Sequence, residues 1–585
     1  MRKLTAHWYR LAAVAAAVGT LGCKSLEVTN PNAPDAARAF SDPAAVAGLV
    51  AGAMHTWYGT RGAYYGPMNL ATMAESYTSS WNNAQMRYYN SIGPVGFFQS
   101  DCPQRCGWVN STSDAKRFPI ESIYFGMYGM LSSVNDVLTA IRSSTNPLVI
   151  GDANNTKLLE AASVMLEGVV FANIAVNYDK GFYVTEKTDI SNPAGLPFRP
   201  RAEMRDSAIS IFNQAIALFS TAGVPDSPEA WTGVISGISY TPAQWIKLIR
   251  TMQAELLVDF PRDAAENATV DWAQVATFAS QGLSSGTSED FSFFQDLTNL
   301  ADNIKQFGLN GFLRIHTKVA NLVTGGYPPA LGSVPPMQKV YPGAPEPQPN
   351  SADKRVGDGT WGPDDNFNGA ATKAEDAGAG TDFAWSPQEV FRPVRGAYHQ
   401  SSLIHIRYSY LASTGSGLPS ENGQGVDPFY PATANDLFWA EGLLRSGGSA
   451  TQAAALINKT RVGRGGLPAL TGGEGLPALL LALQYEQEVE EIGFSSTAFY
   501  NRRRGTPEGW TLAAPCPSIN CLYPATPRQM PVPAKELSVL GQAVYTFGGA
   551  AAPDFSPSLA SGSGMFKPAP QVSGRVFRSG AQRKQ

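Results

Sequence analysis

Through most of the first half of the chain, apolar residues recur three and four positions apart. Segments 37–58 (ARAFSDPAAVAGLVAGAMHTWY) and 120–142 (IESIYFGMYGMLSSVNDVLTAIR) show this spacing, as does the long KLLEAASVMLEGVVFANIAVNY at 157–178. RAEMRDSAISIFNQAIALFSTAG (201–223) ends on a glycine suited to a helix C-cap. TPAQWIKLIRTMQAELLVDF (241–260) opens on Thr-Pro, an N-cap followed by a first-turn proline, and DWAQVATFASQGL (271–283) comes next. The period predicts a helix in each. Joined in neighbouring pairs by short or moderate loops, they predict stacked helix hairpins of the tetratricopeptide type, although the full consensus of that repeat is absent. The pattern breaks between 324 and 400, where TGGYPPALGSVPPMQKVYPGAPEPQPN and GDGTWGPDDNFNGAATKAEDAGAGTDFAW carry turn residues in place of periodicity. So long an irregular stretch is either disordered or functional. Its Tyr341, Trp361, Phe367 and Trp385 argue for order. AYHQSSLIHIRYSY (397–410) has strand character, and helical spacing returns at 434–448, 450–461 and 477–494. The expected architecture is mostly α with little β. It comprises a leader (1–22), a tether (23–36), a helical part (37–300), a loop-rich insert with short strands (301–430), further helix pairs (431–505) and a loop-rich tail packing on the body (506–585).

The N-terminus has its own pattern. Arg2, Lys3 and Arg10 precede an apolar run from Leu11 to Leu21, too short for the roughly 20 residues that a spanning helix needs. The run stops at Gly22-Cys23 and gives way to the polar KSLEVTNPNAPD. A small residue followed by cysteine at the end of such a run resembles a lipobox, which predicts cleavage before Cys23 and acylation of its thiol. Thr20 stands where an aliphatic residue is usual. Ordinary secretion, with cleavage nearby, is the alternative. No later segment reads as apolar enough to cross a bilayer.

Composition narrows the function. The 585 residues carry a net charge of −4, and loss of the leader removes three positive charges, leaving the chain near −7. Without a basic stripe, nucleic acid is not the expected partner. Four cysteines remain besides Cys23: Cys102 and Cys106 in DCPQRCGW, Cys516 and Cys521 in PCPSINC. They allow three pairings, of which local closure within each loop is the simplest. Zinc is the competing reading, and an exported chain favours disulfides.

Catalytic patterns are sparse. There is no H-E-x-x-H, and the G-x-S-x-G string at 282–286 follows a predicted helix, not a strand, so the nucleophile-elbow geometry is missing and Gly282 reads as a helix cap. His399 and His405 sit among Ser and Arg and read as solvated surface histidines. Glu486, Glu488, Glu490 and Glu491 read as a solvated helix face with one structural contact. The chain is therefore not expected to be an enzyme, and no cofactor is required. One metal pattern stands out. Residues 364–375 fit D-x-N-x-N-G-x5-E, with Asp364, Asn366, Asn368 and Glu375 as candidate calcium ligands around a Gly369 turn. Its flanks are not helical, and an Asx-turn loop is the competing reading.

Ligand binding is better supported. A sugar ring can lay its apolar C–H face on an aromatic ring while its hydroxyls meet amides and guanidiniums. SYTSSWNNAQMRYYN (76–90) offers Tyr77, Trp81 and Tyr88 beside Asn82, Asn83 and Arg87. Trp108 stands beside the expected disulfide, and Trp361 lies in the irregular insert. These eight residues are the candidate ligand contacts.

Taken in order along the chain, several stretches resemble the SusD/RagB family of nutrient-binding outer-membrane lipoproteins. They are LEVTNPNAP after the cysteine, EAASVMLEGVVFANIAVNYDKGFYVTE, DLFWAEGLLRSGGSATQAAALINKTRVGRGGLPAL, YEQEVEEIGFSSTAFYNRRR and MPVPAKEL. The family pattern usually runs on from its Phe as Glu-Gly-x-Arg-x-x-Asp-Leu-Arg-Arg. Here Phe494 is followed by Ser495, Ser496, Thr497 and Ala498, and only Glu491 and the arginine end at Arg502–Arg504 match. The missing residues read as a buried ion-pair network that neutral packing replaces. The resemblance implies a SusD-like fold and a protein lipid-anchored through Cys23 at the outer membrane, facing the exterior. It also implies capture of an oligosaccharide and a TonB-dependent outer-membrane transporter as partner. Alternatives are a peptide ligand, as in the RagB branch, a helical-repeat protein-interaction scaffold, or a hydrolase. The anchor is directly testable: Cys23→Ser is expected to abolish incorporation of radiolabelled palmitate and to release the protein from sedimented membranes.

Overall fold

The computed structural model describes residues 40–62, 65–79, 82–90, 102, 105–223, 238–286, 290–296, 302–305, 313–324, 351–360, 362–363, 371–372, 380–385, 401, 403–408, 411, 424–494, 496–505, 522–523, 525–549 and 558–559. The helices are α1 (Pro43–Gly62), α2 (Pro67–Met73), α3 (Met86–Asn90), α4 (Phe118–Ile141), α5 (Ala153–Asn177), α6 (Arg201–Thr221), α7 (Pro242–Asp259), α8 (Ala264–Asn267) and α9 (Trp272–Ser280). After α10 (Thr317–Thr324) come α11 (Ala432–Ser446), α12 (Ala450–Arg461), α13 (Leu476–Glu490), α14 (Thr497–Arg504) and α15 (Ala534–Val539). Local chemistry explains several boundaries. Asp152 accepts from the Asn155 N–H at 2.7 Å to start α5, and Thr241 forms a capping box with Gln244 before Pro242 in α7. Asp271 and Ser449 cap α9 and α12 in the same way, and α11 ends at Gly447, whose φ of 75° is left-handed.

The long helices pack largely in chain order: α1 on α4, α4 on α5, α5 on α6, α6 on α7, α7 on α9, α9 on α11, and α11 on α12 and α13. This is a tetratricopeptide-type stack, in which each hairpin buries its apolar faces against its neighbours. Close approach requires glycine at two points. A Cβ at Gly168 in α5 would lie 2.6 Å from the Phe212 ring of α6, and one at Gly442 in α11 would lie 2.6 Å from the Ala276 nitrogen of α9. Contrary to expectation, α5 is long and apolar enough to cross a membrane by composition alone. Its most apolar window is 83% buried, so the centre of the stack accounts for its apolarity.

Strands are short: β1 (Tyr77–Thr78), β2 (Lys180–Phe182), β3 (Phe198–Pro200), β4 (Phe291–Gln295), β5 (Arg314–Ile315), β6 (Val356–Thr360), β7 (Gly362–Pro363) and β8 (Ala371–Thr372). β9 (Phe383–Trp385), β10 (Leu403–His405), β11 (Gly425–Tyr430), β12 (Tyr545–Thr546) and β13 (Ser558–Leu559) complete the set. In the strand-like segment 397–410, only Leu403–His405 is extended into a strand among the described residues. β10 and β6 flank β9, with β10 antiparallel and β6 parallel to it. β4 and β11 form an antiparallel pair that presents Phe291, Phe293, Phe429 and Tyr430 to Trp57 of α1, at ring-centroid distances of 5.0 to 6.0 Å. The main core continues from there through α4, α5, α6 and α7 to α14.

The sharpest departure from expectation is at α13. Glu486, Glu488, Glu490 and Glu491 do not form a solvated face; all four are buried. Glu486 and Glu490 each meet the Arg355 guanidinium at 2.7 Å, and Glu490 also takes Arg407 at 2.8 Å and Arg464 at 2.9 Å. Glu488 pairs with Arg502, and Glu491 accepts from the Asn501 amide at 3.0 Å. On α11, Glu441 receives both arms of Arg504 at 2.7 and 2.8 Å and Arg445 at 2.6 Å. Neutral packing has therefore not replaced the buried ion-pair network. It persists with different partners, because a buried carboxylate must find a cation or a donor.

Burial by itself would raise the Glu441 carboxyl, but Arg504 and Arg445 outweigh it and hold the group at about 2, against an ordinary 4.5. Between those values the unfolded chain binds the proton more tightly. The stability from this group is therefore complete above the ordinary carboxylate range and is lost as pH falls toward about 2. The stability difference between wild type and Glu441→Gln should shrink by about 2 kcal/mol from about pH 6 to about pH 3, read from urea midpoints.

Candidate functional site

Segment 76–90 folds back on itself. β1 pairs antiparallel with β5, placing Tyr77 opposite Ile315 and Thr78 opposite Arg314. That pairing buries Tyr77, which is 1% exposed, with its hydroxyl 3.2 Å from His405 Nδ1. Tyr77 is thus an interior residue and not a ligand contact. His405 is also interior, at 2% exposure, and not a surface histidine. Burial first, then Arg407 and Lys305, push its imidazole down to about 3, so it is neutral across the physiological range. Trp108 is a further correction. It is 2% exposed, its indole N–H donates to the Gln529 carbonyl at 2.8 Å, and its backbone N–H donates to the Phe547 carbonyl at 3.0 Å. Distant chain at 529 and 547 takes its polar edge and its backbone, and Tyr89 packs on its ring.

Tyr88, Arg87 and Asn82 remain at the surface, the first two half-buried and the third exposed. Tyr88 meets Tyr89 edge-on at 5.0 Å, and Lys116 Nζ lies 5.2 Å from its ring centroid. The footing beneath is rigid. Tyr89 packs on Trp108 at 4.8 Å and donates its hydroxyl to the Lys116 carbonyl at 2.6 Å. Asn90 donates to the Thr78 hydroxyl at 2.8 Å. Cys102 and Cys106 are joined in a disulfide, and between them Arg105 is fully buried. Its guanidinium donates to the Met73 carbonyl at 2.8 Å and the Tyr89 carbonyl at 3.2 Å, and pairs with Glu75 at 3.0 Å. Glu75 also holds Lys318 at 3.0 Å. Three non-glycine residues here, Glu75, Ala84 and Gln85, have left-handed φ values of 67°, 51° and 64°. Such strain persists only where the surroundings over-determine it, and it clusters at functional sites.

Sequence reasoning missed Arg105 and Lys116. The pair of cysteines around Arg105 was a usable signal, since a disulfide-closed loop holds whatever lies inside it. Nothing near Lys116 marked it as a neighbour of Tyr88. Trp81, Trp361, the Asn83 side chain, Asp364, Asn366, Asn368, Glu375, Cys23, His399, Cys516 and Cys521 lie outside the described residues. Ser284 of the G-x-S-x-G string donates to Asp436 at 2.6 Å, and Gly282 donates its N–H to the Ala279 carbonyl at the end of α9.

A cleft of about 520 Å³ opens elsewhere, between α6, α7 and α9. Its two arginines are already engaged, Arg201 with Glu266 at 2.9 Å and Arg205 with Asp206 at 2.7 Å. The Tyr88 surface is the better candidate because it presents a partly exposed aromatic ring on a buried base, with Lys116, itself paired with Asp114 at 3.4 Å, beside the ring. It offers stacking and hydrogen bonding, and among its described residues no nucleophile is paired with a base.

No family model matches this chain, and no curated protein matches it. Solved structures do. A SusD superfamily protein from Parabacteroides distasonis is 12% identical, with a TM-score of 0.50 over 85% of this chain and 97% of that one. A SusD superfamily protein from Bacteroides thetaiotaomicron is 11% identical, with a TM-score of 0.49 over 85% of this chain and 97% of that one. Surface glycan-binding protein A from Bacteroides uniformis is 13% identical, with a TM-score of 0.41 over 81% and 96%. The first of these carries the conclusion that the chain has a SusD-like fold.

The placement of the two aromatics yields a contrast. Trp108→Ala should cost about 3–5 kcal/mol of stability, as removal of a buried indole does. Tyr88→Ala should cost no more than about 1 kcal/mol. Chemical denaturation of the two variants in parallel measures both.

Proposed function

We propose that this protein is a lipid-anchored, outward-facing outer-membrane protein that captures an oligomeric glycan and passes it to a TonB-dependent transporter. The observation that carries the reading is the Tyr88 surface, a partly exposed aromatic ring with Lys116 beside it and Asn82 and Arg87 near it in sequence, on a footing of buried Tyr89, Trp108 and Arg105. The SusD-like fold and the Gly22-Cys23 leader pattern support it. The ring accepts the C–H face of a sugar, the amide accepts from or donates to its hydroxyls, and the cations donate to them. Because the footing is already ordered, binding pays little to organise it. On this reading the protein supplies affinity and hands its cargo on, and the transporter supplies the energy. The exposed face of the Tyr88 ring is the feature that favours a glycan over a peptide.

In a panel of oligosaccharides and peptides titrated against the purified chain, at least one oligosaccharide should bind, and Tyr88→Ala should weaken it about 3- to 10-fold without unfolding the protein. Binding of peptides alone would replace the glycan. Pull-down from detergent-solubilised membranes should recover a TonB-dependent transporter, and its absence would leave a scaffold role.

A further inference from the structure

A small pocket of about 70 Å³ opens in the helix stack, bounded by α1, α4, α5, α6, α7, the end of β11 and the α13–α14 turn. Most of its wall is apolar, including Trp57, Ile123, Val169, Val176, Met252 and Leu256. A water needs about 10–15 Å³ of such space, so the cavity holds roughly five or six waters or a ligand of similar atom count. An apolar wall with a few convergent polar groups is the usual make-up of a small-molecule site.

Its polar groups are mostly satisfied by one another. Arg61 sets both arms on Glu255, at 2.9 and 3.3 Å, and lies over the Tyr430 ring at 4.0 Å. Tyr500 donates to the Asn177 side chain at 2.8 Å, and Asn177 donates to the Asn173 carbonyl at 3.1 Å. Asp259 is the exception. It stands one turn beyond Glu255 on α7, is 4% exposed, and its Oδ1 has no hydrogen-bond partner. Arg503 is close, but donates to the Asp259 backbone carbonyl at 2.6 Å. Burial first, then the Glu255 charge, push the Asp259 carboxyl well above the carboxylate range, against Arg503, Arg504 and Arg61. The group is left to take up a proton or to meet a donor.

Arg61 neutralises Glu255, so the Asp259 carboxyl is the one acid of the lining without a paired cation among the described residues. We propose that this cavity binds a small protonated amine, its N–H groups on the Asp259 carboxylate and its alkyl part against the apolar wall. Two carboxylates fall short of the six to eight oxygens that calcium takes, and among the described residues no three of His, Cys, Asp and Glu cluster as metal ligands. The site does not depend on the glycan reading.

The test uses the mature chain with n-butylammonium as probe, n-butanol as its neutral isostere, glycerol as a polyol, and sodium chloride at matched ionic strength. Calorimetric titration and thermal shift should show saturable binding and stabilisation by butylammonium alone. Asp259→Asn, which removes the acid at constant shape, should weaken binding at least tenfold, and Tyr88→Ala should leave it unchanged. If Asp259→Asn does not fold, Ala172→Leu, which fills the cavity, must abolish binding instead. Equal binding of glycerol or butanol would overturn the cationic ligand. Undiminished binding by Asp259→Asn would place the amine elsewhere, and no saturable response would mean that the cavity holds only water; either result overturns the site.

Discussion

Three consecutive arginines, Arg502, Arg503 and Arg504, are each about 1% exposed on α14. Buried cations are tolerated only when paired or fully bonded, and breaking such a pair costs about 3–5 kcal/mol. Successive residues on a helix point about 100° apart, so three buried guanidiniums reach in three directions. Arg502 goes to Glu488 on α13 and Arg504 to Glu441 on α11. Arg503 takes no carboxylate in this arrangement and donates to the carbonyls of Val176, Asp259 and Arg528. One short helix thereby ties α5, α7, α11, α13 and the chain near residue 528 into a single body. A stack of hairpins otherwise holds only neighbour to neighbour.

The same device is repeated where the insert meets the stack. Arg355, Arg407 and Arg464 converge on Glu490, and Arg464 also holds Asp382 beside β9. Beneath the Tyr88 surface, Glu75 sits between Arg105 and Lys318. Charge is therefore placed inside the molecule at each junction that helix packing alone would leave loose. The small pocket lies at one such junction, and there the pairing is incomplete: Arg503 spends its donors on carbonyls, and Asp259 Oδ1 has no hydrogen-bond partner.

The helices were the most legible part. The Thr241-Pro242 start was predicted and is present as a capping box, and Asp271 and Ser449 cap their helices by the same local chemistry. The site was less legible. Tyr88 survived as a surface residue, whereas Tyr77 and Trp108 were claimed by β5 and by 529–547. An aromatic residue in a polar stretch looks alike whether it faces solvent or a distant segment, since its burial is set by chain hundreds of residues away. The signature region failed for a similar reason. The glutamates of α13 look like a wet face until Arg355, Arg407 and Arg464 are brought against them.

Interactions within about one helical turn are written in the order of residues, and from that order alone came the hairpin stack and the shortage of strand. Which carboxylates are buried, which aromatics are covered and where a cavity is left were decided only when segments far apart in the chain met. Desolvating a charge is tolerable or ruinous according to the partner that arrives, and no local pattern names that partner.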